Sequence, residues 1–78
     1  MKEKTADKMF KELGYKKVEG LNDNYAIWYV NKNYIGINRI FFNILDRKLH
    51  FELNYDLSMQ ELQAINKKCE ELGWIERN

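Results

Sequence analysis

Leu49-His-Phe-Glu-Leu-Asn-Tyr55 alternates apolar and polar residues without a break, and three residues later the chain reads Ser58-Met-Gln-Glu61. Alternation over seven residues is the pattern of a strand with one buried and one solvated face. Serine followed three places on by glutamate, ahead of an apolar-periodic run, is a capping box: each side chain satisfies a backbone N–H that the first helical turn leaves free. A half-buried strand therefore hands over to a helix at Ser58, and the domain mixes α and β.

Downstream of Ser58, Leu62, Ile65, Cys69 and Leu72 follow the 3-4-3 spacing of a buried stripe, and Leu57 with Leu62 forms a hydrophobic staple across the first turn. Gly73 ends the helix in the left-handed conformation, and Trp74 is expected to fold back toward Cys69. The same ending occurs near the start, where Lys8-Met-Phe-Lys-Glu-Leu-Gly-Tyr15 parallels Lys67-Lys-Cys-Glu-Glu-Leu-Gly-Trp74. It predicts a first helix from about Thr5 to Leu13, with Ala6, Met9, Phe10 and Leu13 on its apolar face and Tyr15 against Phe10. Convergence on one way of stopping a helix explains the match better than duplication, because the similarity is not sustained beyond the endings.

The middle of the chain is rich in strand-forming residues. Tyr25-Ala-Ile-Trp-Tyr-Val30 is bounded by the turn-like Gly20-Leu-Asn-Asp-Asn24 and Asn31-Lys-Asn33, and Arg39-Ile-Phe-Phe-Asn-Ile44 pairs with Leu49 to Tyr55 across a turn at Asp46-Arg47-Lys48. Gly36 to Asn38 is either a bulge or the end of an irregular loop. The expected fold is a single α+β domain over residues 1–78, in the order α-β-β-β-α: a three-stranded antiparallel sheet with both helices packed on one face. Ile40, Phe42, Ile44, Leu49, Phe51, Leu53 and Tyr55 then meet the helix stripes. Phe51→Ala or Leu62→Ala is expected to cost on the order of 2–5 kcal/mol.

Composition narrows the functional classes. A 78-residue chain that is 45% hydrophobic and 32% charged is an ordinary folded domain, and one this small gains from self-association. The single cysteine, Cys69, gives no internal disulfide and fits a reducing compartment. No apolar run is long enough to span a bilayer, and Met1-Lys-Glu-Lys4 leads into no signal core, so a cytoplasmic location is expected. The net charge of +1 conceals a gradient, basic at the first seventeen residues and acidic after Tyr55. That gradient reads as a solvated lysine-rich helix, not as a phosphate-binding arm.

The sheet face away from the helices is the candidate interaction surface. It is expected to carry Arg39, Phe41, Asn43, His50, Glu52 and Asn54, with Arg47 and Lys48 at the hairpin end. The first strand adds either Trp28 with Val30 or Ile27 with Tyr29. Aromatic residues among polar ones on an open sheet suit a homodimer seam, a docking surface for another protein, or a stacking platform for nucleic acid. The few basic residues place nucleic acid last.

Catalytic chemistry finds little support. His50, the sole histidine, sits on a strand with only Glu52 as an obvious same-face carboxylate and no nucleophile. Cys69 and His50 are two soft ligands where zinc needs three or four, and the isolated glycines form no phosphate loop. No enzyme, cofactor, metal or membrane role is expected.

The segments Ser58 to Trp74 and Lys4 to Tyr15, with the hairpin Arg39 to Tyr55, resemble short uncharacterised proteins encoded by phages and prophages of low-GC Gram-positive bacteria. The loop from Gly20 to Asn38 lies outside this likeness. The resemblance implies a genomic setting, hence a host cytoplasm and an accessory role, and brings no reaction or site residue with it. The element order also resembles the double-stranded-RNA-binding domain, whose second helix opens with basic residues. Here that position reads Ser58-Met59-Gln60-Glu61, so the likeness is one of topology.

Overall fold

Thr5 starts the first helix by accepting the Lys8 backbone N–H on its hydroxyl at 3.2 Å, and α1 runs Ala6–Glu12 in a computed structural model that describes residues 4–76. Gly14, at φ +95°, then allows the Tyr15 N–H to reach the Phe10 carbonyl at 2.9 Å and its own N–H to reach Lys11 at 3.0 Å. This pair of bonds is a Schellman ending. The Tyr15 ring lands edge-on against Phe10, with centroids 5.5 Å apart. The second helix, α2, Met59–Glu71, closes in the same way at Gly73, with the Trp74 N–H on the Cys69 carbonyl at 2.9 Å. Its start is the expected capping box: Ser58 Oγ accepts the Glu61 N–H at 3.1 Å, and Glu61 Oε1 accepts the Ser58 N–H at 2.9 Å.

Four strands lie between the helices, where three were expected: β1 Lys16–Lys17, β2 Ala26–Lys32, β3 Ile37–Asn43 and β4 Lys48–Glu52, antiparallel in the order β1-β2-β3-β4. The added strand is β1, which pairs Lys16 with Val30 and Lys17 with Tyr29. Two lysines carry no alternation to betray a strand, and their conformation comes from pairing onto β2. The α+β class stands, with element order α-β-β-β-β-α.

Pairing between β2 and β3 is regular from Lys32↔Ile37 to Ala26↔Asn43, so Gly36 ends a hairpin loop and there is no bulge. Asn33 Oδ1 shapes that loop by accepting the N–H groups of Ile35 and Gly36 at 2.8 and 3.1 Å. A side chain at position 36 has no room, since a Cβ there falls 2.6 Å from the Cβ of Asn54. At the other end of the sheet, Asn43 Oδ1 accepts the Asp46 N–H at 3.1 Å, and Arg47 completes the β3–β4 turn at φ +55°.

Both helices cover one face of the sheet. Phe10 stacks on Tyr29 with centroids 4.0 Å apart and meets Phe42 edge-on, while Trp74 packs on Phe42 from the end of α2. Ala6, Phe10, Tyr15, Ile27, Tyr29, Ile40, Phe42, Ala64, Ile65 and Cys69 form the core. A large apolar side chain buried this fully contributes roughly 1.5–3 kcal/mol.

Two expectations about this core need correction. Leu49, Phe51 and Leu53 share the phase of the helix-covered face but remain 36%, 39% and 42% exposed. α1 is moored over β1 and β2, through Lys17 Nζ 3.9 Å from Asp7 Oδ2 and Asn31 Nδ2 donating to the Leu13 carbonyl at 3.2 Å. The helical layer is therefore centred away from β4. Leu62 is exposed as well, and the buried side of α2 is Glu61, Ala64, Ile65, Lys68 and Cys69.

Polar groups carry the reason for that rotation. Glu61 accepts the Tyr15 hydroxyl while closing its own capping box, and Lys68 Nζ lies 3.5 Å from Asp7 Oδ1, which also accepts the Tyr29 hydroxyl. Glu71 Oε2 takes the Ala6 N–H at 2.7 Å, tying the start of α1 to the end of α2. Burying a charged side chain is tolerated when it is paired and hydrogen-bonded in this way. Asn38 is fully buried on β3: its Oδ1 accepts the N–H groups of Asn54 and Tyr55 at 2.8 and 3.2 Å, and its Nδ2 donates to the Tyr55 carbonyl at 3.1 Å. It fixes the link from β4 to α2.

Candidate interaction surface

The sheet register decides which residues reach the uncovered face. Because Ile27 and Tyr29 point into the core, Trp28 and Val30 point away from it, settling the alternative left open by the sequence. Trp28 pairs with Phe41, and Phe41 with His50, so three strands contribute one row of rings. The Trp28 and Phe41 rings touch, with centroids 4.7 Å apart and planes tilted by 36°. The next row is Lys16, Val30, Arg39 and Glu52. There Arg39 Nη1 lies 3.2 Å from Glu52 Oε1, and His50 Nε2 lies 3.7 Å from Glu52 Oε2. On the other side of the ring row, Asn43 pairs with Lys48.

Seven of the expected site residues, Trp28, Arg39, Phe41, Asn43, Lys48, His50 and Glu52, are thus gathered on one face. Asn43 has a different task from the others: its Oδ1 and its Nδ2, 3.2 Å from Asp46 Oδ2, both hold the turn. Arg47 sits within that turn, beyond the strands. Lys16 and Lys32, absent from the surface expected of the sequence, register onto the same face through Val30 and Ile37. Lys32 was legible by counting two residues on from Val30. Lys16 was not, because its strand left no pattern.

The face is basic: Lys16, Lys32 and Lys48 lie around its rim, and Arg39 within it is paired with Glu52. Asp7, Glu61 and Glu71 serve the helical layer. Asp7 titrates below its ordinary value: partial burial pushes it up, but the Tyr29 hydroxyl, Lys68 and Lys17 together outweigh that. The Tyr29 and Tyr15 hydroxyls are raised by burial and by the carboxylates that accept from them, and burial raises the Cys69 thiol. These groups are locked into packing on the side of the sheet away from the ring row. Among the described residues no three His, Cys, Asp or Glu side chains are grouped to hold a metal ion, and no helix is long and apolar enough to cross a membrane.

No family model, no curated protein and no solved structure matches this chain.

Proposed function

We propose that the chain is a small non-enzymatic interaction module that binds another macromolecule through the uncovered face of its sheet. The observation that supports this most directly is the row Trp28, Phe41 and His50, two touching rings and an imidazole on a face without a helix. Aromatic residues left on such a surface supply contact area at low entropic cost, and they are enriched where proteins meet partners. His50 has Glu52 for a neighbour on a flat face with no nucleophile beside it, which argues for contact and against proton transfer. The likeness of the helix segments to phage and prophage proteins is the support for an accessory role in a host cytoplasm, and Cys69 fits that compartment.

A second reading is favoured by Lys16 and Lys32, which join Arg39 and Lys48 on the face. Rings for bases ringed by cations for phosphates suit single-stranded nucleic acid. Duplex RNA is a poorer fit, because Glu61 stands at the start of α2 and is buried there.

Amide chemical shifts of the labelled protein, titrated with short single- and double-stranded DNA and RNA at low and high salt, separate the two. Salt-sensitive shifts confined to Trp28, Phe41, His50 and the rim lysines establish the nucleic-acid reading. A silent titration, together with host proteins captured by the wild type but not by Trp28→Ser/Phe41→Ser, supports a protein partner. The absence of both responses would sink the proposal.

A further inference from the structure

The two edges of the sheet are unequal. β1 is two residues long and both are lysines, a short charged edge of the kind that discourages strand addition. β4 is five residues long, pairs with β3 in unbroken register from Asn43↔Lys48 to Arg39↔Glu52, and contains neither proline nor bulge. Among the described residues its outer side has no neighbouring strand. Leu49 and Phe51, with Leu53 just beyond, add an apolar row that the helices leave more than a third exposed, although Leu49 and Phe51 pair with the buried Phe42 and Ile40.

We infer that two copies of this chain associate about a twofold axis by pairing β4 with β4 antiparallel, centred on His50. The sequence of the strand argues for a second copy as the occupant. Lys48-Leu-His-Phe-Glu52 is self-complementary when reversed: Lys48 faces Glu52 of the second copy, Leu49 faces Phe51, and each pair occurs twice. Opposite charges and apolar pairs directly across strands both stabilise a ladder. Sliding by two residues leaves a Lys48 or a Glu52 without its counterpart. Sliding by one sets Lys48 against Phe51 and Leu49 against His50, and turns the two helical layers to opposite sides of the joined sheet. The pairing is isologous and closed, so it stops at two copies. It joins the sheets edge to edge and places the two His50 side chains across the axis, so each ring row meets the other.

This inference goes beyond the interaction module proposed above and stands on the backbone edge of β4, not on the ring face, so either can fail alone. Its test is mass in solution by sedimentation equilibrium, with circular dichroism confirming that each variant is folded. Wild type is expected to be a dimer, and Lys48→Glu and Glu52→Lys, each alone, to dissociate it by roughly tenfold or more through two like-charge pairs. An equimolar mixture of the two variants is expected to restore a one-to-one dimer, because the two reversed side chains then face each other with opposite charge and the remaining Lys48 faces the remaining Glu52. His50→Cys gives an independent reading: oxidation is expected to link two chains through residue 50, Cys69 being buried. A wild type that stays monomeric, variants that dimerise as wild type does, or a mixture without rescue would each overturn the inference, as would His50→Cys chains that do not cross-link.

Discussion

Asn38→Ala tests the least conventional part of the core. The amide side chain is fully buried and satisfies three backbone groups, the N–H of Asn54 and both the N–H and the carbonyl of Tyr55. Each backbone group left buried without a partner costs about 1–3 kcal/mol. Asn54 is exposed, so water can take over its N–H, whereas Tyr55 is half-buried and both of its groups lose out. The expected loss is therefore about 2–5 kcal/mol, from two groups at about 1–3 kcal/mol each with partial relaxation. A chain of this length has a total stability of about 4–12 kcal/mol, so the variant loses a large share of it.

Urea unfolding followed by tryptophan fluorescence reads the loss as a lower midpoint at unchanged slope. Hydrogen exchange locates it, because the amides of Asn54 and Tyr55 should lose protection before those of β2 and β3. Asn54→Ala is the control: it removes only the acceptor of the Ile37 N–H at 2.9 Å, and about 1 kcal/mol is expected. An Asn38→Ala protein as stable as wild type, with Tyr55 still protected, would refute the claim that this amide organises the link.

Phe42→Ala should cost about 3–5 kcal/mol because the ring is fully buried among Phe10, Tyr29 and Trp74, while Phe51→Ala and Leu62→Ala, both partly exposed, should each cost about 1 kcal/mol or less when measured as monomer by urea unfolding. Gly36→Ala should lower the melting temperature through its contact with the Asn54 Cβ, and adding Asn54→Gly, which removes that atom, should make the alanine better tolerated than in wild type; equal effects in both backgrounds would contradict the contact. The folded-state pKa of Asp7 is depressed, so its contribution is fully present above its unfolded value near 3.8 and is lost as pH falls through the folded value. Asp7→Asn should therefore lag wild type most at neutral pH and converge with it in acid, and a gap of constant size across that range would show that the charge of Asp7 is irrelevant.

How far the letters reach can be seen in α2. Its limits were legible, since Ser58, Glu61 and Gly73 act through their own backbone and need no tertiary context. Its buried side was not, for Leu62 reads as core and Glu61 and Lys68 read as solvent until Tyr15 and Asp7 arrive from elsewhere in the chain. Asn38 was half-legible: stepping back two residues from Ile40 and Phe42 lands on it, but its partners across the β4 to α2 link could not be read from the strand. Strand phase was recovered in β4 and depth was not. Alternation reports which side a residue faces, whereas burial depends on where the helices sit, and β1 draws α1 toward the opposite edge.

The same displacement of the helices accounts for the candidate surfaces. A three-stranded sheet under two centred helices would have buried Leu49 and Phe51 and left only the ring face in question. Adding β1 on the α1 side moves the cover off β4, so one strand carries both an apolar row on the helical side and His50 at the end of the Trp28 and Phe41 row on the other. Pairing at that edge would meet two needs together. It would give Leu49 and Phe51 apolar partners, which matters in a domain too small to leave apolar surface idle, and it would set two ring faces side by side. A partner long enough to reach both would then be held at two points, with an effective concentration at the second set by the rigid sheet and not by diffusion.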